Sequence, residues 1–170
     1  KEQGFGFRCW EGIVDNRGGY VGINLSFKKI VRWAKENNMP MICIAEDDMQ
    51  FSAPGAWQYY LDNMPEDFDI YLASIYWGDI RDGNKVCCFS GLSLYVIKKK
   101  FFDVFLSVDE NKHIDMGLKN KGDYRVCLPF AAIQHETYSE NAKKKLNNTR
   151  WLSKRKLFGG YENGQPKSIS

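Results

Sequence analysis

Residues 41–48 of the chain read Met41-Ile42-Cys43-Ile44-Ala45-Glu46-Asp47-Asp48, five apolar residues followed directly by three carboxylates. An uninterrupted apolar run of this length is typical of a strand that is buried on both faces, as in a parallel sheet. In open α/β sheets, ligands bind beyond the carboxyl ends of the strands. We therefore predict that residues 41–45 lie near the centre of a parallel sheet and that residues 46–48 begin a ligand site.

The sequence on either side of this run alternates between predicted helices and predicted strands. Helices are predicted at residues 23–36, 56–64, 98–107 and 113–119, a loop at 76–84, and strands at 5–14, 68–74, 86–90, 92–97 and 125–133. This order is typical of an α/β protein, and we predict a single Rossmann-like domain with a mostly parallel central sheet. The residues after 139 are polar and predict weak helix.

Composition and charge limit the classes of protein to consider. The 170 residues are 44% apolar and 26% charged, as in ordinary globular domains, and no run of 18 apolar residues predicts a membrane span. Residues 142–170 hold eight basic residues and one acidic residue, a net charge of +7, whereas the remainder carries −4. We predict one domain over residues 1–141 and a basic tail over 142–170. The tail is either solvated or contacts an anionic partner such as phosphate or a lipid headgroup.

The three carboxylates after the apolar run predict a metal site. In an extended chain, Glu46 and Asp48 point to one side and Asp47 to the other. Two carboxylates on one side suit Mg²⁺ or Mn²⁺, which usually takes its remaining ligands from water and phosphate oxygens. Such an ion stabilises the charge that grows on a diphosphate leaving group. The pattern alone also fits a nuclease, a phosphatase or a solvated acidic turn.

Several ordered segments resemble the family 25 glycosyltransferases of the lipooligosaccharide galactosyltransferase type. The resembling segments are Val21-Gly22-Ile23-Asn24-Leu25-Ser26, Ile44-Ala45-Glu46-Asp47-Asp48-Met49, Phe68-Asp69-Ile70-Tyr71-Leu72, Gly91-Leu92-Ser93-Leu94-Tyr95-Val96-Ile97, Ile114-Asp115-Met116 and Val126 to Gln134. Together they extend from residue 5 to about residue 141. Each segment is short, and it is their order and spacing that carry the resemblance.

The resemblance implies a GT-A-like fold and an inverting transfer of a hexose from a nucleotide-sugar onto a glycan or lipooligosaccharide. It implies that Glu46, Asp47 and Asp48 hold the nucleotide-sugar, and that the metal is Mn²⁺ or Mg²⁺. It also implies a role in lipopolysaccharide biosynthesis in the cytoplasm, with the basic tail in contact with the inner face of the membrane. The acidic body and the absence of a nucleic-acid-binding signature argue against a nucleic-acid partner.

An inverting transfer also needs a base that takes a proton from the acceptor hydroxyl. Asp115 is the first candidate, although a carboxylate at this position also suits the first turn of a helix. Glu136 is the second candidate. Its neighbour His135 follows the last predicted strand, where it is either a Mn²⁺ ligand or a surface histidine.

Aromatic residues near the predicted site suggest where an acceptor sugar binds. Tyr76 and Trp77 follow a predicted strand and lie in a loop that contains glycines. Aromatic faces pack against the apolar faces of sugar rings, and we therefore predict that these two residues contact the acceptor.

Two departures from the family pattern favour an alternative function. Phe27 occupies the position of a family histidine, and the chain starts near the end of a helix that the family usually carries in its first strand-helix unit. We therefore expect this unit to be lacking from the domain. The alternative is a catalytically degenerate relative that binds a nucleotide or a glycan without turnover.

Overall fold

The computed structural model describes residues 6–134, 138–139, 144–145 and 156–169. Its α-helices are α1 (Gly19–Glu36), α2 (Ala56–Asp62), α3 (Phe102–Leu106) and α4 (Ile114–Gly117), and a 3₁₀ turn at Lys99–Phe101 leads into α3. Its strands are β1 (Met41–Ala45), β2 (Met49–Phe51), β3 (Ile70–Leu72), β4 (Trp77–Arg81), β5 (Lys85–Ser90), β6 (Leu94–Lys98), β7 (Tyr124–Val126), β8 (Ala132–Gln134), β9 (Tyr138–Ser139), β10 (Lys144–Lys145), β11 (Leu157–Glu162) and β12 (Gln165–Ile169). None of the helices in these ranges is long and apolar enough to cross a membrane.

Six strands form one mixed sheet in the order β1-β6-β3-β7-β5-β4. The neighbours β3 and β7 are parallel, and the other four neighbouring pairs in this sheet are antiparallel. The prediction of a mostly parallel, Rossmann-like sheet is therefore wrong, and the fold is mixed α/β with a mostly antiparallel sheet. An alternating order of helices and strands predicts a parallel sheet only when each helix crosses between parallel neighbours. Here β4 and β5 form a hairpin, and β6 runs antiparallel to both of its neighbours.

The apolar run at residues 41–45 forms β1, at an edge of the sheet rather than near its centre. Ile42 and Ile44 are buried, whereas Met41 and Cys43 are exposed, so burial alternates along the strand. Single exposed apolar residues are common on protein surfaces. An unbroken apolar run therefore does not distinguish an edge strand from a central one. The strands β3 and β6, in the interior of the sheet, are buried on both faces.

The sheet separates two apolar clusters, and β6 contributes to both. Tyr95 and Ile97 belong to the cluster that includes α1 and α3, whereas Leu94 and Val96 belong to the cluster that includes α2. This division follows from the alternation of side chains along a strand. The sheet is therefore the middle layer, with helices packed on each of its faces.

Three other predicted segments differ from the structure. The described residues of the predicted strand at 5–14 are irregular, and the predicted loop at 76–84 contains β4. In the basic tail, β11 and β12 form an antiparallel hairpin where weak helix was predicted. Phe158 of this hairpin is buried and stacks on Tyr59 of α2, with 4.2 Å between ring centroids. Aromatic packing against α2 therefore overrides the polar character of this segment.

Two buried tyrosines predict stability effects of opposite sign. The hydroxyl of Tyr95 has no hydrogen-bond partner among the described residues, whereas the hydroxyl of Tyr60 donates to the carbonyl of Tyr71 at 2.6 Å. Removing an unpaired buried hydroxyl relieves a desolvation cost, and removing a paired one loses a hydrogen bond. We expect Tyr95→Phe to raise the free energy of unfolding by about 1 kcal/mol and Tyr60→Phe to lower it by about 1 kcal/mol. Urea unfolding measures both, and equal losses in the two variants would contradict the assignment.

Candidate active site

The acidic cluster begins at the end of β1, where the chain turns sharply. The backbone N–H of Glu46 donates to the carbonyl of Ser93 at 2.8 Å, which continues the pairing of β1 with β6. The N–H of Met49 then donates to the carbonyl of Glu46 at 3.2 Å. Residues 46–49 therefore form a turn rather than the extended segment assumed from the sequence. Asp47 lies in this turn and is exposed, whereas Glu46 and Asp48 are partly buried.

Asp48 is held by a residue that lies 86 positions later in the chain. The side-chain amide of Gln134 donates to Asp48 Oδ2 at 2.6 Å. The two residues meet because β2 pairs with β8 in an antiparallel register that puts Met49 opposite Gln134. The position of the Asp48 carboxylate thus depends on a short two-stranded ribbon beside the main sheet.

Burial and the neighbouring carboxylates raise the proton affinity of Glu46. The pKa of Glu46 is raised from 4.5 to about 7, first by burial and then by the negative charges of Asp48, Asp47 and Asp115. Both causes disfavour the ionised form of Glu46. A bound cation would favour that form, and the arrangement therefore suits a divalent metal ion.

Asp115 joins this cluster from the first turn of α4. One of its carboxylate oxygens accepts the backbone N–H of Gly91 at 3.2 Å, and the other accepts the N–H of Met116 at 2.7 Å. Asp115 is partly exposed, so a ligand can reach it. Asp115 therefore lies in the first turn of a helix, as the structural alternative predicted, and it is also close enough to Glu46 to raise the pKa of that residue.

Tyr76 and Trp77, which were predicted together, occupy different environments. The hydroxyl of Tyr76 donates to Gln134 Oε1 at 2.6 Å. Burial, followed by the charge of Glu46, raises the pKa of Tyr76. Trp77 begins the edge strand β4 and is 52% exposed. The structure therefore brings Tyr76 to the carboxylates and leaves Trp77 facing solvent.

Two of the three predicted metal ligands, Glu46 and Asp48, lie within the described residues. His135 and Glu136 lie outside the described residues. Within the described ranges, no group of three or more His, Cys, Asp or Glu side chains is arranged to hold a metal ion. A metal at Glu46 and Asp48 would therefore take further ligands from substrate oxygens and water, as Mg²⁺ commonly does.

Gln134 and Gly91 hold the site together, although the sequence did not single them out as site residues. Gly91 has φ of +108°, and a Cβ there would lie 2.7 Å from Cδ2 of Tyr76. The ring of Tyr76 can approach the backbone this closely only because residue 91 is glycine. Gln134 contacts residues far away in the chain, and no local spacing in the sequence indicates those contacts.

The raised pKa of Glu46 predicts a pH dependence of stability in the metal-free protein. The folded protein keeps the proton of Glu46 up to about pH 7, whereas the unfolded chain loses it near pH 4.5. The resulting stabilisation is complete below pH 4.5 and is lost as the pH rises through 7. Because Glu46 is only partly buried, solvent screens this effect, and we expect a loss of about 1–2 kcal/mol.

Urea unfolding in EDTA between pH 4.5 and 8 measures this loss. Glu46→Gln should remove it, whereas Glu36→Gln, an exposed acid at the end of α1, controls for the removal of one negative charge. The same pH dependence in the parent and in Glu46→Gln would contradict the prediction.

Comparison of the chain with protein-family models, with curated proteins and with solved structures found no match. The resemblance to the family 25 glycosyltransferases therefore stays a prediction made from the sequence. The case for a function depends on the residues of the site and on their geometry.

Proposed function

We propose that this chain is a metal-dependent glycosyltransferase domain that moves a hexose from a nucleotide-sugar donor to a glycan or lipooligosaccharide acceptor, with inversion. The observation that supports it most is the convergence of Glu46, Asp48 and Asp115. These carboxylates come from two separate segments that resemble the family, and they lie close enough to shift the pKa of Glu46. Mutual repulsion between them favours a bound cation.

The donor side of the site consists of the turn after β1. Glu46 and Asp48 are the proposed ligands of Mn²⁺ or Mg²⁺, with His135 as a further candidate. The metal, when bound, stabilises negative charge on the departing diphosphate. Asp47, which is exposed in the turn, is available to a group of the donor.

The acceptor side is proposed to include Asp115 and Trp77. Asp115 acts as the base that takes the proton of the attacking hydroxyl, and Glu136 is the next candidate. The N–H of Gly91 holds one Asp115 oxygen, which limits the directions in which the carboxylate can point. Trp77 offers an exposed aromatic face to a sugar ring. The basic residues of the tail suit an anionic membrane surface on the cytoplasmic side.

A second function is favoured by the environment of Phe27. This residue takes the position of the family's histidine, is buried, and packs edge-on against Tyr95 with 5.7 Å between ring centroids. An apolar contact therefore occupies a position where the family has a titratable group. The corresponding function is binding of a nucleotide or glycan without turnover.

We expect Asp48→Asn to abolish metal-dependent binding of nucleoside diphosphate and Glu46→Gln to weaken it. Loss of one carboxylate removes a charged ligand of the ion. Glu36→Gln removes one negative charge from an exposed position at the end of α1, outside the proposed site, and serves as the matched control. Titration calorimetry with UDP and GDP, with and without Mn²⁺, measures the affinities, and thermal unfolding checks each variant. Unchanged affinity in folded Asp48→Asn would refute the metal site.

We expect Asp115→Asn to keep donor and metal binding while transfer falls by about 10²- to 10⁴-fold, the usual contribution of a general base. Glu110→Gln changes a partly exposed acid in the segment before α4 and should leave transfer unchanged. Transfer is followed by mass spectrometry with a panel of nucleotide-sugars. Transfer by Asp115→Asn at the parent rate would exclude this residue as the base. Donor binding without turnover in the parent would favour the second function.

A further inference from the structure

A chain of two hydrogen bonds connects Tyr76 to Asp48. The Tyr76 hydroxyl donates to Gln134 Oε1 at 2.6 Å, and Gln134 Nε2 donates to Asp48 Oδ2 at 2.6 Å. In this arrangement the amide nitrogen of Gln134, which can only donate, faces Asp48. The amide oxygen then faces Tyr76, whose hydroxyl supplies the matching donor.

Backbone contacts hold two residues of this chain of hydrogen bonds, Gln134 and Tyr76, in place. Gln134 ends β8, in register with Met49 of β2. The backbone N–H of Tyr76 donates to the carbonyl of Ser90 at 2.8 Å, and its ring lies against Gly91. The N–H of Gly91 in turn holds Asp115. The connected residues Gln134, Tyr76 and Gly91 therefore set the positions of the carboxylates that are proposed for the donor and acceptor sides.

We infer that Tyr76 is a positioning residue that acts through Gln134 on Asp48, rather than a residue that stacks on the acceptor sugar. The inference rests on the proposed function, in which Asp48 is a metal ligand. With its Oδ2 engaged by Gln134, the Asp48 carboxylate is restricted in rotation before a metal arrives. Loss of the Tyr76 hydroxyl removes its hydrogen bond to Gln134 Oε1 and so weakens this restriction.

Tyr76→Phe distinguishes the two roles of the side chain. Phenylalanine keeps the ring against Gly91 and any stacking surface, and removes only the hydroxyl that contacts Gln134. A stacking role predicts no change in metal affinity for this variant. A positioning role predicts weaker metal binding, because partners of metal ligands typically contribute 10- to 100-fold to affinity.

The test is a double-mutant cycle on the binding of Mn²⁺ alone, measured from the electron paramagnetic resonance signal of the free ion. We expect Tyr76→Phe and Gln134→Met each to weaken Mn²⁺ binding by about tenfold. We expect the double variant to be little worse than either single one, because both changes break the same chain. Tyr161→Phe, at a tyrosine that is 51% exposed on β11, is the matched control.

Each outcome decides a separate point. A parent protein that binds no Mn²⁺ would refute the metal-dependent function and the inference with it. A parent that binds Mn²⁺ and a Tyr76→Phe variant of equal affinity would overturn the inference alone. If a thermal scan shows that Gln134→Met is unfolded, the Mn²⁺ affinity of Tyr76→Phe is compared with that of Tyr161→Phe. Equal affinities in these two variants would also overturn the inference.

Discussion

The candidate site depends on the antiparallel pairing of β1 with β6. This pairing brings Ala45 opposite Leu94 and continues through the hydrogen bond from Glu46 to Ser93. Because β6 is buried on both faces, it can move little, and it gives the acidic turn a fixed starting point. Gly91 lies just before β6 and contacts both Tyr76 and Asp115. Strand β6 and the segment before it thus set the positions of groups from three different parts of the chain.

The helices of this fold were easier to predict than the sheet. The apolar residues of α1 recur every three or four positions, and most of them pack in the core beside Phe27 and Val31. Such periodicity is a local property that the sequence displays directly. The direction and order of strands depend instead on which distant segments pair. No pattern within residues 41–45 indicates that their partner is residues 94–98 or that this pairing leaves them at an edge.

The carboxylates of the site could be singled out from the sequence, but not the groups that hold them. Glu46 and Asp48 follow a strand, and Asp115 lies in a recognisable segment, so residue type and position were informative. Their spatial arrangement was argued from an extended chain, whereas the chain turns at Asp47. Gln134 was not predicted as a site residue, because its amide side chain has no ionisable group that would indicate a role in metal binding or catalysis. Its role follows only from the register between β2 and β8.

The distance along the chain between paired strands also bears on how this protein folds. The pairs β1 with β6, β3 with β7, and β2 with β8 each close a long loop of chain, and a long loop costs conformational entropy before its contacts form. Domains rich in such pairings fold slowly, and early compact states have few of them. In a partly folded or nascent chain, the carboxylates are therefore present but have not yet been brought together. Any ligand of the assembled site binds only the complete fold and so shifts the folding equilibrium towards it.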